Sequence, residues 1–280
     1  MVRLDWTKPT KEIKKINLSN NVCYDRILMI DTKTINIDLH SYPNEYLSYK
    51  ALSDFYNQPM SNIALGYGLS ELIGRVLTIF KDKSISVISP TWATVEAMCK
   101  ALNIDYSTNY LESSNIVYIA NPNGTSGKLL SNDEIYDMCS KHEYVIVDEA
   151  YHDFSLTKSS LYDRPDNLIV LKTLSKSLAL PGVRCAYSFA NEDITLQLQE
   201  IRPSYTTLNI DLAKILPLIE PHIERMIETR DYLESKYNCV PSKANFVLFK
   251  DAPKFIEKFE TRKIGDYTRM SLINKGLIGD

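Results

Sequence analysis

Lys176 stands in the stretch Thr173-Leu174-Ser175-Lys176-Ser177, between two short apolar runs, Leu168 to Leu171 and Cys185 to Phe189. Pro181-Gly182-Val183-Arg184 lies in the same loop. A lysine just past the end of a buried strand, partly desolvated and near another cation, has a lowered pKa. Its neutral amine can then attack a carbonyl and form a Schiff base. Arg184 and the hydroxyls of Thr173 and Ser175 are the donors a phosphate dianion needs. A nucleophilic amine beside a phosphate site is the pattern expected for pyridoxal 5'-phosphate (PLP). A solvated Ser-Lys-Ser loop has the same letters, so the reading rests on what else the chain brings to this loop.

Several other stretches supply matching groups. Gly66-Tyr67-Gly68-Leu69-Ser70-Glu71 is a glycine turn running into an apolar helix, which leaves the amides of Leu69 and Ser70 free to hold phosphate. Asp148 is the carboxylate expected to pair with a protonated ring nitrogen, which keeps the ring an electron sink. Tyr151, three residues on, is the expected donor to the phenolic oxygen, and Trp92 the aromatic face against the ring. Lys176 is then both anchor and general base for the Cα proton.

These groups need a frame that gathers them. Apolar runs predict strands at Ile35–Leu39, Ile85–Ile88, Ile116–Ala120, Tyr144–Val147, Leu168–Leu171 and Cys185–Phe189. Helical spacing occurs at Tyr46–Tyr56, Trp92–Leu102 and Asp133–Lys141. The alternation predicts an α/β fold, a mostly parallel sheet with helices on both faces. Ligands of such sheets bind beyond the carboxyl ends of the strands. There the chain carries Trp92, the Asn121-to-Gly127 turn with Asn123, then Asp148 with Tyr151, and Lys176.

After Phe189 the pattern changes to helices at Asp193–Arg202 and Ile210–Tyr237, strands at Asn245–Phe249 and Arg269–Ile273, and a short helix at Phe255–Phe259. This predicts a small α+β subdomain over 191–280, after an arm and first strand (1–40) and a large cofactor domain (41–190). The polar residues 1–30 are expected to add little core and to lie across another surface.

Composition excludes several classes. Lys and Arg number 32 against 35 Asp and Glu, a net charge of −3, and no long basic block suggests a nucleic-acid surface. No apolar run reaches the length of a membrane span. The five cysteines and four histidines are scattered without metal-ligand spacing, so no metal is expected and a reducing cytoplasm is.

Asn121-Pro-Asn-Gly-Thr-Ser-Gly127, Asp148-Glu-Ala-Tyr151 and Thr173-Leu-Ser-Lys-Ser-Leu-Ala-Leu-Pro-Gly-Val-Arg184 resemble three successive signatures of the fold type I PLP-dependent aminotransferases. The resemblance is to the branch of histidinol-phosphate aminotransferases and amino-acid O-phosphate decarboxylases, and runs from about Asn17 to Leu272. It implies that Tyr42, in a Tyr-Pro element, reaches the cofactor phosphate of a neighbouring subunit, hence a homodimer. It also implies that Arg269 grips a substrate carboxylate, with Asn20 as a second substrate contact. One departure stands out. Gly124 occupies the place of the asparagine that often contacts the cofactor's phenolic oxygen, leaving that task to Asn123 or to Tyr151 alone.

The function expected is PLP-dependent transamination of an amino acid or an amino-acid-derived, phosphorylated or unphosphorylated amine through Lys176. Decarboxylation of an amino acid or its O-phosphate on the same cofactor is the alternative. A non-catalytic binding protein that keeps the fold is a third reading.

Overall fold

The computed structural model describes residues 15–25, 40–205, 208 and 210–278. The strand expected at 35–39 lies outside the described residues. A short strand, β1 (Ile16–Asn17), comes first, followed by α1 (Glu45–Tyr56), β2 (Ile63–Tyr67), α2 (Leu69–Ile79), β3 (Ile85–Val87), α3 (Ala93–Ala101) and β4 (Tyr106–Ser107). Next come β5 (Ile116–Ala120), α4 (Asn132–Lys141), β6 (Tyr144–Asp148), β7 (Leu168–Thr173), the single turn α5 (Leu174–Ser177), β8 (Cys185–Phe189) and α6 (Glu192–Glu200).

Seven strands form the central sheet in the order β2-β8-β7-β6-β5-β3-β4. Pairing is parallel from β4 across to β7. β8 runs antiparallel to both β7 and β2. The connection from Thr173 to Cys185 holds only one helical turn and a short 3-10 turn. That is too little chain for a parallel crossover, so β8 returns as a hairpin partner. The strands read as continuous apolar runs because both faces are covered. In β6, Val145 and Val147 join one apolar cluster while Ile146 joins the other, the two-residue alternation of a strand.

The remaining elements are α7 (Leu212–Ile215), α8 (Ile219–Lys236), β9 (Cys239–Val240), β10 (Phe246–Phe249), β11 (Phe259–Glu260), β12 (Arg262–Ile264) and β13 (Tyr267–Ser271). The single helix expected over 210–237 is divided between α7 and α8 by a 3-10 turn at Leu216–Leu218, where Pro217 lacks the amide that would continue the ladder. A four-stranded sheet has the order β12-β13-β10-β9. Its Val247, Phe249 and Met270 belong to the same apolar cluster as Leu65, Val117 and Val147 of the central sheet.

The expectation that the N-terminal segment adds little core does not hold for residues 15–25. β1 pairs in parallel with β11, and Leu18, Asn21 and Cys23 are buried. Leu18 and Cys23 join the main apolar cluster, with Ile16 packed against it. The backbone anchors the segment too: Leu18 donates its amide to the Glu260 oxygen (2.8 Å), and its own oxygen accepts the Ser271 amide (2.9 Å).

Beyond β6 the chain is held by a buried ion cluster. Lys172 Nζ lies 3.1 Å from both Glu149 and Asp153, and Glu149 also accepts the hydroxyls of Ser159 and Ser160. Burial alone would push the Glu149 carboxyl up, but the Lys172 ammonium, His152 and the two hydroxyls outweigh it and hold it at about 2. The cluster fixes the backbone between Asp148 and Tyr151. Among the described residues no helix is long and apolar enough to cross a membrane.

Candidate active site

The carboxyl ends of β5, β6 and β7 point to one region, as parallel strands must. Lys176 lies in α5, one turn beyond β7. Its Nζ donates to the Asn20 backbone oxygen at 2.9 Å and sits 5.8 Å from the centre of the Tyr151 ring. Burial brings its amine down to about 8; Cys23 opposes that shift, Arg269 adds to it and Asp148 opposes it. The neutral amine is therefore far more accessible near neutral pH than in an ordinary lysine, as a nucleophilic lysine requires.

Asp148 ends β6 and is buried. Its Oδ2 accepts the Tyr118 hydroxyl at 2.7 Å and its Oδ1 accepts the Ala150 amide at 3.0 Å. Burial raises its pKa, opposed by those two hydrogen bonds. A carboxylate that is desolvated but held in place by two donors is prepared for a cationic partner. Tyr118 was not singled out in the sequence. It is two residues before Ala120, which pairs with Asp148 across the β5–β6 register, so it is a diagonal neighbour on the same face.

Tyr151 packs its ring on Gly124. A Cβ built at 124 would come within 2.8 Å of Tyr151 Cε2. Asn123, the other residue considered for the phenolic contact, has its side chain engaged locally. Its Nδ2 donates to the Pro90 oxygen at 2.6 Å, and its Oδ1 accepts the amides of Thr125 and Ser126, both at 3.0 Å. It ties the turn carrying Trp92 to the turn carrying Gly124. Trp92 caps α3 and is 48% exposed.

At the other edge, Gly68 caps α2 with φ +78°, a conformation that suits glycine. The amides of Leu69 and Ser70 lie in the first turn of α2, where the helix supplies no acceptor. Arg184 closes on the same point: a Cβ at Gly68 would fall 2.0 Å from its Nη2. Thr173 Oγ1 gives its single proton to the Cys185 oxygen (2.9 Å) and lies 3.1 Å from Ser175 Oγ, which fixes the Ser175 hydroxyl in place. Two amides and a guanidinium thus meet in a cradle at residue 68, where a side chain would collide with Arg184. Gly68→Ala is expected to retain the fold and weaken PLP binding by roughly tenfold or more, since the methyl displaces Arg184. Titration of PLP absorbance checks this, and unchanged affinity would remove Arg184 from the cradle.

Arg269, in β13, is buried. It donates to the Gly124 oxygen and the Ser19 oxygen, each at 3.0 Å. Burial lowers its pKa, opposed by Tyr151, with the nearby Arg262 adding to the lowering. Arg262 opens β12. It is exposed, and it is the direct cross-strand partner of Arg269 in the β12–β13 hairpin. Asn20 contributes its backbone oxygen to Lys176 while its side chain is exposed. The side chain that enters the site is that of Asn21, whose Nδ2 lies 3.2 Å from the Tyr151 hydroxyl. Tyr42 is 75% exposed and stacks on Tyr205, with ring centroids 4.2 Å apart.

The donor set fits PLP: an amine with a lowered pKa, a desolvated carboxylate for the ring nitrogen, a phenol, an aromatic face and a phosphate cradle. Among the described residues no group of histidine, cysteine and acidic side chains could hold a metal ion.

Comparison with known proteins points the same way. Residues 13–260 match the aminotransferase class I and II family. The histidinol-phosphate aminotransferase of Pyrococcus furiosus is 31% identical over 240 residues, covering 75% of this chain and 69% of that protein. The solved histidinol-phosphate aminotransferase of Clostridium acetobutylicum superposes with a TM-score of 0.75 at 18% identity, over 94% of this chain and 96% of that one. The Sinorhizobium meliloti enzyme of the same name, solved with PLP, gives 0.71 at 17% identity over 85% and 80%. At these identities the superpositions speak to fold.

Proposed function

The chain belongs to the aminotransferase class I and II family, and on that premise we propose that it moves an amino group from a phosphate-bearing amine to a 2-oxo acid, with Lys176 as the catalytic base. As a member of that family it is a PLP-dependent transaminase of fold type I. The observation that supports the assignment of roles is the convergence of Lys176, Tyr151 and Arg269 on the short turn 19–21.

Bound PLP would supply an electron sink that acidifies the substrate Cα–H. The chain's own groups do the rest. Asp148 would pair with the ring nitrogen, its orientation fixed by Tyr118 and the Ala150 amide. Arg184, Ser175 and the amides of Leu69 and Ser70 would hold the phosphate. Trp92 would cover one face of the ring. Tyr151 would donate to the phenolic oxygen. Lys176, neutral in a useful fraction near pH 8, would take the Cα proton and return it one position away. A homodimer in which Tyr42 reaches the neighbouring phosphate cradle is part of the same proposal.

The phosphate-bearing amine rests on two supports. Relatives such as the Pyrococcus furiosus protein are named for histidinol phosphate. Arg262 and Arg269 also stand directly opposite across two strands, an unfavourable like-charge pairing that a bound dianion would relieve. The test is a panel of amines, with 2-oxoglutarate as acceptor, assayed on wild type and Arg262→Ala. The variant is expected to raise KM for phosphorylated amines by roughly 10–100-fold and leave glutamate little changed. Equal KM changes for phosphorylated and unphosphorylated amines would reject the dianion. Release of carbon dioxide without keto product would move the assignment to decarboxylation.

A further inference from the structure

We infer that Asn21 is the positioning residue that compensates for the missing side chain at Gly124, by fixing the Tyr151 hydroxyl as a donor toward the cofactor's phenolic oxygen. The inference rests on the PLP reading of the site.

Gly124 has no side chain to offer, and the space beside its Cα is filled by the Tyr151 ring. Asn21 comes from the N-terminal turn and meets both residues. Its Nδ2 lies 3.1 Å from the Gly124 oxygen and 3.2 Å from Tyr151 Oη. A backbone oxygen can only accept, so the atom facing Gly124 must be the amide nitrogen. That nitrogen carries two protons and no acceptor site, so Tyr151 Oη accepts from it. The phenol's own proton is thereby left for another acceptor.

The residue is held firmly for this purpose. Asn21 sits at φ +51°, a region asparagine tolerates better than most side chains. Its backbone oxygen accepts Asn245 Nδ2 at 2.9 Å. Its own Oδ1 is buried and finds no hydrogen-bond partner among the described residues. A side chain kept for packing alone would not carry a left-handed backbone and an unpaired acceptor. The half of the amide that is used is the half facing Gly124 and Tyr151.

The experiment compares PLP with 3-deoxypyridoxal 5'-phosphate, which lacks the phenolic oxygen, by calorimetric titration. Proteins are wild type, Asn21→Ala, Asn21→Gly, Tyr151→Phe and the double variant Asn21→Ala/Tyr151→Phe. Asn21→Gly keeps the left-handed backbone relaxed and so guards against misfolding in the alanine variant. Expected is a loss of PLP affinity of about tenfold for either Asn21 variant, with the deoxy compound changed less than about twofold. Tyr151→Phe should show the same selectivity, and the double variant should be no weaker than Tyr151→Phe alone. Equal losses for both compounds, or losses that add in the double variant, would overturn the role given to Asn21 while leaving PLP binding intact. Wild type that binds neither compound would overturn the PLP reading and this one with it.

Discussion

Lys176→Ala is expected to lower transamination by about 10²–10⁴-fold, the scale of a lost proton-transfer group. It should also abolish the borohydride-fixable attachment of PLP expected of wild type. Lys176→Arg should be equally inactive, because a guanidinium does not give up its proton near neutral pH. The wild-type rate of PLP attachment should rise with pH through about 8 and level off above it, because only the neutral amine attacks and burial brings this amine to about 8. Cofactor-free Lys176→Ala should be at least as stable as wild type, since it removes a cation from a desolvated site. Retained activity in either variant, or a flat pH profile between 6 and about 9, would remove Lys176 from the central role.

The second large effect concerns stability. Glu149→Gln is expected to destabilise the fold by about 3–5 kcal/mol, because Lys172 stays buried with only Asp153 as a charged partner. For a chain of this size that corresponds to a fall in melting temperature of roughly 5–9 °C. The pH dependence has a definite sign. The folded carboxyl is held at about 2, below its ordinary 4.5, so the unfolded state binds the proton more readily. The stabilisation is present above about pH 4.5 and is lost as pH falls toward about 2. Wild type should therefore lose its advantage over Glu149→Gln on acidification across that window, as read by thermal unfolding at a series of pH values. A constant difference between the two proteins would mean that Glu149 acts through packing rather than charge.

Asp148, Tyr151 and Lys176 were legible in the sequence because each follows a continuous apolar strand, and parallel strands deliver their ends to one place. The glycine turn before α2 was legible for a similar reason: Gly68 and a helix start together imply free amides. Asn21 was not legible. Its role depends on a left-handed backbone and on contacts to residues 103 and 130 positions away, none of which leaves a periodic trace. Its neighbour Asn20 has the same side chain but turns it outward, and letters alone do not distinguish the two. Arg262 could have been found. Gly265-Asp266 marks the turn of the β12–β13 hairpin, and counting back across it sets Arg262 opposite Arg269. Asn123 shows the opposite failure. A polar residue beside the site was a reasonable donor, but the turn holds its Oδ1 on the following amides and so directs its Nδ2 to the Pro90 oxygen.

The contacts of the N-terminal turn have a consequence for the order in which the protein is made. Leu18 accepts the hydroxyl of Ser271, 253 residues later, and Arg269 secures Ser19. At ribosomal speed that separation takes on the order of 10–50 s to synthesise. Throughout that interval Lys176, Asp148 and Tyr151 can be translated and the central sheet assembled, while the strand that clamps Leu18 and Ser19 does not yet exist. The pocket is thus completed only once Arg269 and Ser271 have emerged. A chain arrested before Arg269 carries Lys176 without the arginine that holds Ser19 in place.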